Sequence, residues 1–136
     1  MKTSKEVDQT LDTASKIAAK YGHSYTGTEH FLLALIKNKD FAQLLLDFGV
    51  QLQPLKQDLE SHIKEKYKDL GGKPIGKKTQ ALERVFNRAF TSTLFSGRDT
   101  LMNIDLFVSI MSENNAHSSY FLMKYNVNKE EFVKFV

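Results

Sequence analysis

Apolar residues in this chain recur at steps of three and four, a period that predicts helix almost throughout. Val7, Leu11, Ala14 and Ala18 form one stripe. Ahead of it stands Thr3-Ser4-Lys5-Glu6, a capping-box pattern that satisfies two free amides of a first turn. Gly22 follows this helix, where a left-handed residue is commonly needed. A second helix, capped by Thr28, buries Phe31, Leu32, Leu35 and Ile36. Glu29 lies in its first turn, favourably placed against the amino-end dipole. A third helix runs from near Asp40 to Phe48 and stops at Gly49. The fourth takes Pro54 at its first position, where the missing amide costs nothing, and continues through Leu55, Leu59 and Ile63. No strand is predicted.

The pattern then starts again. An offset of 75 places Leu82 on Val7, Phe86 on Leu11, Ala89 on Ala14, Gly97 on Gly22, Asn103 on Thr28, Leu106 on Phe31 and Ile110 on Leu35. Two extra residues raise the offset to 77, which places Asn126 on Gly49, Val127 on Val50 and Phe132 on Leu55. The replacements keep their physical roles: Asn caps helices as Thr does and tolerates the left-handed site that Gly fills. The last helix opens with Asn128-x-x-Glu131, another cap-like start. The chain therefore reads as all-α, with two four-helix repeats at 3–68 and 79–136 and a linker at 69–78. A unit of about 60 residues buries a limited core alone, so the two are expected to pack as one domain related by a pseudo-twofold axis.

Composition narrows the chemistry. Apolar residues make up 41% and charged residues 26% of 136, ordinary values for a globular domain. No apolar run approaches the roughly 20 residues needed to span a bilayer, and the opening MKTSKEVDQT does not read as a secretory signal. Cysteine is absent, which excludes disulfide and thiolate chemistry and suits a reducing compartment. The four histidines, His23, His30, His62 and His117, include no i, i+4 pair, so no zinc set is apparent. His30 reads as a half-buried residue bonding across the first turn. No Gly-x-Ser-x-Gly elbow surrounds any serine. Paired carboxylates such as Glu130-Glu131 read as capping and solvation.

The stretch GGKPIGKKT at 71–79 lies one substitution from a phosphate-binding loop. Gly71, Gly76 and Lys77 fall in register, but Lys78 takes the hydroxyl position and Thr79 comes one residue late. Such a loop needs a buried strand before it, and SHIKEKYKDL is a polar helix tail. A basic linker is the plainer reading. Residues 64–88 hold eight Lys/Arg against three acids, an excess of five in a chain whose net charge is +3. Nonspecific phosphate or nucleic-acid binding is therefore an alternative, although the lysines straddle a Gly/Pro segment instead of lining one helix.

GHSYTGTEHFLLALI at 22–36 and SGRDTLMNIDLFVSIMSENN at 96–115 resemble the N-terminal domain of the Clp ATPases, ring-forming unfoldases that feed the Clp protease. The resemblance runs from Leu11 to Phe135, and its most recognisable piece is Thr28-Glu29-His30-Phe31-Leu32-Leu33-Ala34-Leu35. The second half looks most like the ClpA type, because Asn103-Ile104-Asp105 replaces the second T-E-H motif of the ClpC type. The resemblance implies a cytoplasmic, non-catalytic docking module without cofactor. It would take a ClpS-like adaptor and unfolded or tagged protein substrates, and reach the Clp protease through ATPase modules absent from this sequence; the alternatives within the family are a ClpC-like substrate receptor or a free-standing accessory subunit that docks on Clp complexes.

The resemblance also implies a partner-binding surface of His23, Ser24, Tyr25, Thr28 and Glu29 with Thr79, Glu83, Arg84 and Arg88. On that reading Glu29 beside the two arginines makes a mixed-charge rim; on the plainer one Glu29 only compensates its helix dipole. Ser24 stands where ClpA-type domains often carry an acid, so one adaptor salt bridge is missing or replaced. In the ClpC type the T-E-H glutamates help hold phosphorylated arginine. Glu29 would preserve one such site, whereas Ile104 removes its counterpart.

Overall fold

The computed structural model describes residues 2–66, 77–113 and 116–136. Eight helices occur among them. Four lie in residues 2–66: α1 (Lys5–Lys20), α2 (Thr28–Lys37), α3 (Lys39–Phe48) and α4 (Leu52–Lys66). Four lie in residues 77–113 and 116–136: α5 (Gln80–Phe95), α6 (Asn103–Met111), α7 (His117–Lys124) and α8 (Lys129–Phe135). The fold is all-α, and the helices form two four-helix repeats. α1 and α5 are each 16 residues long and start 75 positions apart. The expected linker at 69–78 lies outside the described residues except for Lys77 and Lys78.

α2 lies at the centre and packs against α1, α3, α4, α5, α6 and α7. That position explains its composition. Every residue from Thr28 to Ile36 is buried, and a helix apolar on all sides is stable only when surrounded. α6, its counterpart, buries Leu106, Phe107 and Ile110 completely. Phe31 of α2 meets Phe86 of α5 edge-on with ring centroids 5.6 Å apart. Phe107 lies between Phe41 of α3 at 5.2 Å and Phe132 of α8 at 4.9 Å. The core is thus shared across the repeats.

Four two-residue strands also occur, which the apolar pattern did not predict. β1 (Lys2–Thr3) pairs in parallel with β4 (Thr100–Leu101), and β2 (Tyr25–Thr26) with β3 (Lys77–Lys78). The 75-residue offset carries β1 onto β3 and β2 onto β4, so the two ladders are equivalent. Each joins one repeat to the other. Equivalent backbone bonds extend them, from Ser4 N–H to the Leu101 carbonyl at 3.0 Å and from Thr79 N–H to the Thr26 carbonyl at 2.9 Å.

The positive-φ residues obey the same relation. Gly22 (φ 73°) matches Gly97 (φ 76°), and Gly49 (φ 105°) matches Asn126 (φ 62°). Gly49 closes α3 with its N–H on the carbonyls of Leu45 and Leu46, and Asn is the residue with a side chain that best tolerates this region.

Several caps differ from the expected ones. Ser4, not Thr3, caps α1 and accepts from Val7 N–H at 3.1 Å, while Thr3 enters β1 and donates to Asp8. Gly27 precedes α2, so Thr28 is its first residue. The side chain that reaches back is His30, whose Nδ1 accepts from Gly27 N–H at 2.9 Å. The second repeat does the same with Asp105, which accepts from Met102 N–H at 2.8 Å. Asn103 is therefore not a cap: it is buried and accepts from Thr10 Oγ1 at 3.1 Å. Pro54 stands third in α4, still among the amides without a helical partner. Asn128 caps α8 and accepts from Glu131 N–H.

Candidate docking site

The β2–β3 ladder brings the loop after α1 to the amino end of α5. Six residues from these segments, Tyr25, Lys78, Thr79, Gln80, Ala81 and Arg84, line an open hollow of about 500 Å³. Tyr25 follows the buried His23 and is 48% exposed. The Thr79 side chain faces its own helix, accepting from Leu82 N–H at 3.2 Å. Lys78 lies over the Phe86 ring, 5.0 Å from its centroid, a cation–π arrangement that steadies a long side chain. Glu83 is exposed and Ser24 half-buried. Of the expected residues the hollow brings together Tyr25, Thr79 and Arg84, while Ser24, Glu83 and Arg88 do not line it.

Its other members lie beneath. His23, Thr28 and Glu29 are buried, Glu29 with only 5% exposure. The Thr28 hydroxyl donates to Glu29 Oε2 at 3.4 Å. A Cβ at Gly27 would stand 3.2 Å from that oxygen and 3.5 Å from Thr79 Cγ2, so the loop backbone threads closely between Glu29 and α5. His30 is fully buried rather than half-buried. Its Nε2 lies 2.7 Å from Nδ1 of His23. Because its Nδ1 accepts from Gly27, neutral His30 carries its proton on Nε2 and donates to His23. Burial pushes the His23 imidazolium pKa below its ordinary value.

The carboxylate gripped by Arg84 and Arg88 is that of Glu113, not Glu29. Glu113 follows the end of α6 and is 7% exposed. Its Oε1 accepts from Arg84 Nε at 3.0 Å and Nη2 at 2.6 Å, and its Oε2 accepts from Arg88 Nη2 at 2.9 Å. Arg88 Nη1 also donates to the Ser109 carbonyl at 2.8 Å. Burial pushes the Glu113 carboxyl up, but the hydrogen bonds from both arginines prevail and hold it below the usual carboxylate range. The sequence reading missed Glu113 because it stands 29 and 25 residues from its partners; the only local signal was an acid directly after an apolar helix.

Two of the eight residues in the basic run therefore share this acid, and Lys78 covers an aromatic ring. The rings of His62 and His117 lie with centroids 4.3 Å apart, tilted by 39°, and no group of three metal-ligating side chains occurs among the described residues. No helix among them is long and apolar enough to cross a membrane.

The description of the Clp repeat (R) N-terminal domain matches residues 2–125. A ClpA homolog protein of Fuscovulum blasticum is 29% identical over 136 residues, covering 98% of this chain and 17% of the relative. The chaperone protein ClpB of Clostridium tetani (strain Massachusetts / E88) is 25% identical over 134 residues, covering 94% of this chain and 15% of the relative. The chain thus spans about one-sixth of the length of either. Among solved structures, the Hsp104 N-terminal domain from Candida albicans superposes with a TM-score of 0.79 at 9% identity, covering 99% of this chain and 89% of that one. The N-terminal domain of the chaperone ClpD from Arabidopsis thaliana gives 0.74 at 15% identity, covering 98% and 91%. These likenesses carry the fold.

Proposed function

We propose that this chain, which belongs to the Clp repeat N-terminal domain family, is the docking module of a larger ClpA-like unfoldase. On this reading it takes a ClpS-like adaptor, together with unfolded or tagged substrates, and hands them to ATPase modules that feed the Clp protease in the cytoplasm. The observation that carries the reading is the hollow at the β2–β3 ladder. It joins an exposed aromatic, two cations and a helix amino end at a place where segments of both repeats meet. A tyrosine in such a setting is an interface anchor, and Lys78 and Arg84 supply register through charge.

His23, Thr28 and Glu29 then act as the support beneath this surface. Glu29 seats the Gly27 turn that presents Tyr25. A ClpC-like site for phosphorylated arginine fits less well, because the glutamate it needs is buried and Ile104 takes the equivalent place in the second repeat. Nucleic-acid binding is disfavoured by the shared charge of Arg84 and Arg88, which leaves fewer free cations for phosphate.

Tyr25→Ser tests the assignment. It removes the exposed ring without touching the core and is expected to weaken adaptor binding more than tenfold, about 1.4 kcal/mol, at unchanged melting temperature. Unaltered affinity would move docking away from this face.

A further inference from the structure

The clamp around Glu113 exists in only one repeat. The 75-residue offset carries Arg84, Arg88, Ser109 and Glu113 onto Gln9, Thr13, Ala34 and Asn38. Those four residues, with Thr10 and Lys37, line a hollow of about 140 Å³ in the first repeat. One backbone frame thus holds an ionic clamp on one side and an uncharged set on the other. The α1–α2 pair packs without a clamp, so the frame does not require one between α5 and α6. Burying a carboxylate carries a desolvation penalty that its partners must offset, and a buried ion pair is weak evidence of a purely stabilising role.

The geometry supplies another role. Arg84 uses Nε and Nη2 on Glu113, which leaves Nη1 unengaged by that carboxylate, and its side chain stays 57% exposed at the hollow. A free arginine side chain has a large rotamer entropy to lose on binding. Glu113 removes much of that freedom before any partner arrives, which favours tight binding. Among the described residues the hollow is lined by Lys78 and Arg84 and by no acid, so the complementary group on a protein partner is a carboxylate.

We propose that Glu113 is a positioning and specificity-determining residue: it holds Arg84 ready to receive a carboxylate of the docked adaptor. Because the first repeat lacks this device, the α5 face is used and its pseudo-equivalent on α1 is not. The inference rests on the adaptor-docking reading above.

The test measures association and dissociation rates and stoichiometry of a ClpS-type adaptor on the wild type, Glu113→Gln, Arg84→Gln and the double variant. The wild type is expected to bind one adaptor per domain. Glu113→Gln is expected to raise koff about tenfold with kon unchanged or faster, since a negative charge is lost. In the double variant koff should match Arg84→Gln alone, because Glu113 acts through Arg84. Glu113→Asp, which keeps the charge but shortens the reach, should fall between; it also serves if Glu113→Gln melts below the assay temperature. Additive effects in the double variant, or an unchanged koff for Glu113→Gln beside a binding wild type, would overturn this inference alone. A wild type that does not bind would overturn the docking reading and this inference with it.

Discussion

Phe107→Ala probes whether the two repeats form one cooperative unit. The ring is fully buried in the second repeat. It contacts Phe41 of the first repeat and Phe132 of its own, both within 5.2 Å between centroids. Truncating a buried phenylalanine costs about 3–5 kcal/mol. That is a large share of the roughly 5–15 kcal/mol available to a domain. For a chain of this size each kcal/mol lowers Tm by about 3–4 °C, so a fall of roughly 10–20 °C is expected. The assay is thermal unfolding followed by far-ultraviolet circular dichroism and by calorimetry. One transition should persist, shifted as a whole, because β1, β3 and the Phe41–Phe107 contact each tie one repeat to the other. A loss below about 1 kcal/mol, too small for a fully buried ring, would refute the burial assignment. A second transition left at the original temperature would refute the shared core.

Three further outcomes follow from local features. Gly49→Ala and Asn126→Ala should each cost about 1–2 kcal/mol, because both positions are left-handed; Asn126→Gly should stay within about 0.5 kcal/mol, and denaturant titration checks all three. Glu113 has a depressed pKa, so its contribution is present above the ordinary carboxylate range and lost as pH falls through that range; Glu113→Gln should flatten the acid limb of a Tm–pH profile, and a parallel limb would contradict the clamp. His23 also has a depressed pKa, below an ordinary 6.5, so its contribution is present above 6.5 and lost as pH falls beneath it. His23→Gln should reduce the slope just below that value, and an unchanged slope would count against the histidine chain.

The helices were legible because their stripes are long. Val7, Ala14 and Ala18 repeat the helical period over three turns and are all buried, and the offset matched helix to helix. Cap positions were less legible: Thr3 and Ser4 are both good caps, and only the β1–β4 ladder decides that Thr3 is spent on a strand. Two-residue strands carry no period, and each pairs with a segment more than 50 residues away. For the site, Tyr25, Thr79 and Arg84 were legible as a group, whereas the depth of Glu29 was not. An acid in a first turn reads as exposed, and its burial follows only from α2 being surrounded by other helices. Glu113 showed only as an acid after an apolar helix, because its reason for being there is two arginines on another helix.

The most direct test of the docking account is calorimetric titration of this domain with a ClpS-type adaptor at low and at moderate salt. The account predicts saturable one-to-one binding that survives the higher salt, since an aromatic anchor and a preset arginine carry it. Absence of binding at both salt concentrations, or binding that collapses as steeply with salt as phosphate contacts do, would contradict it.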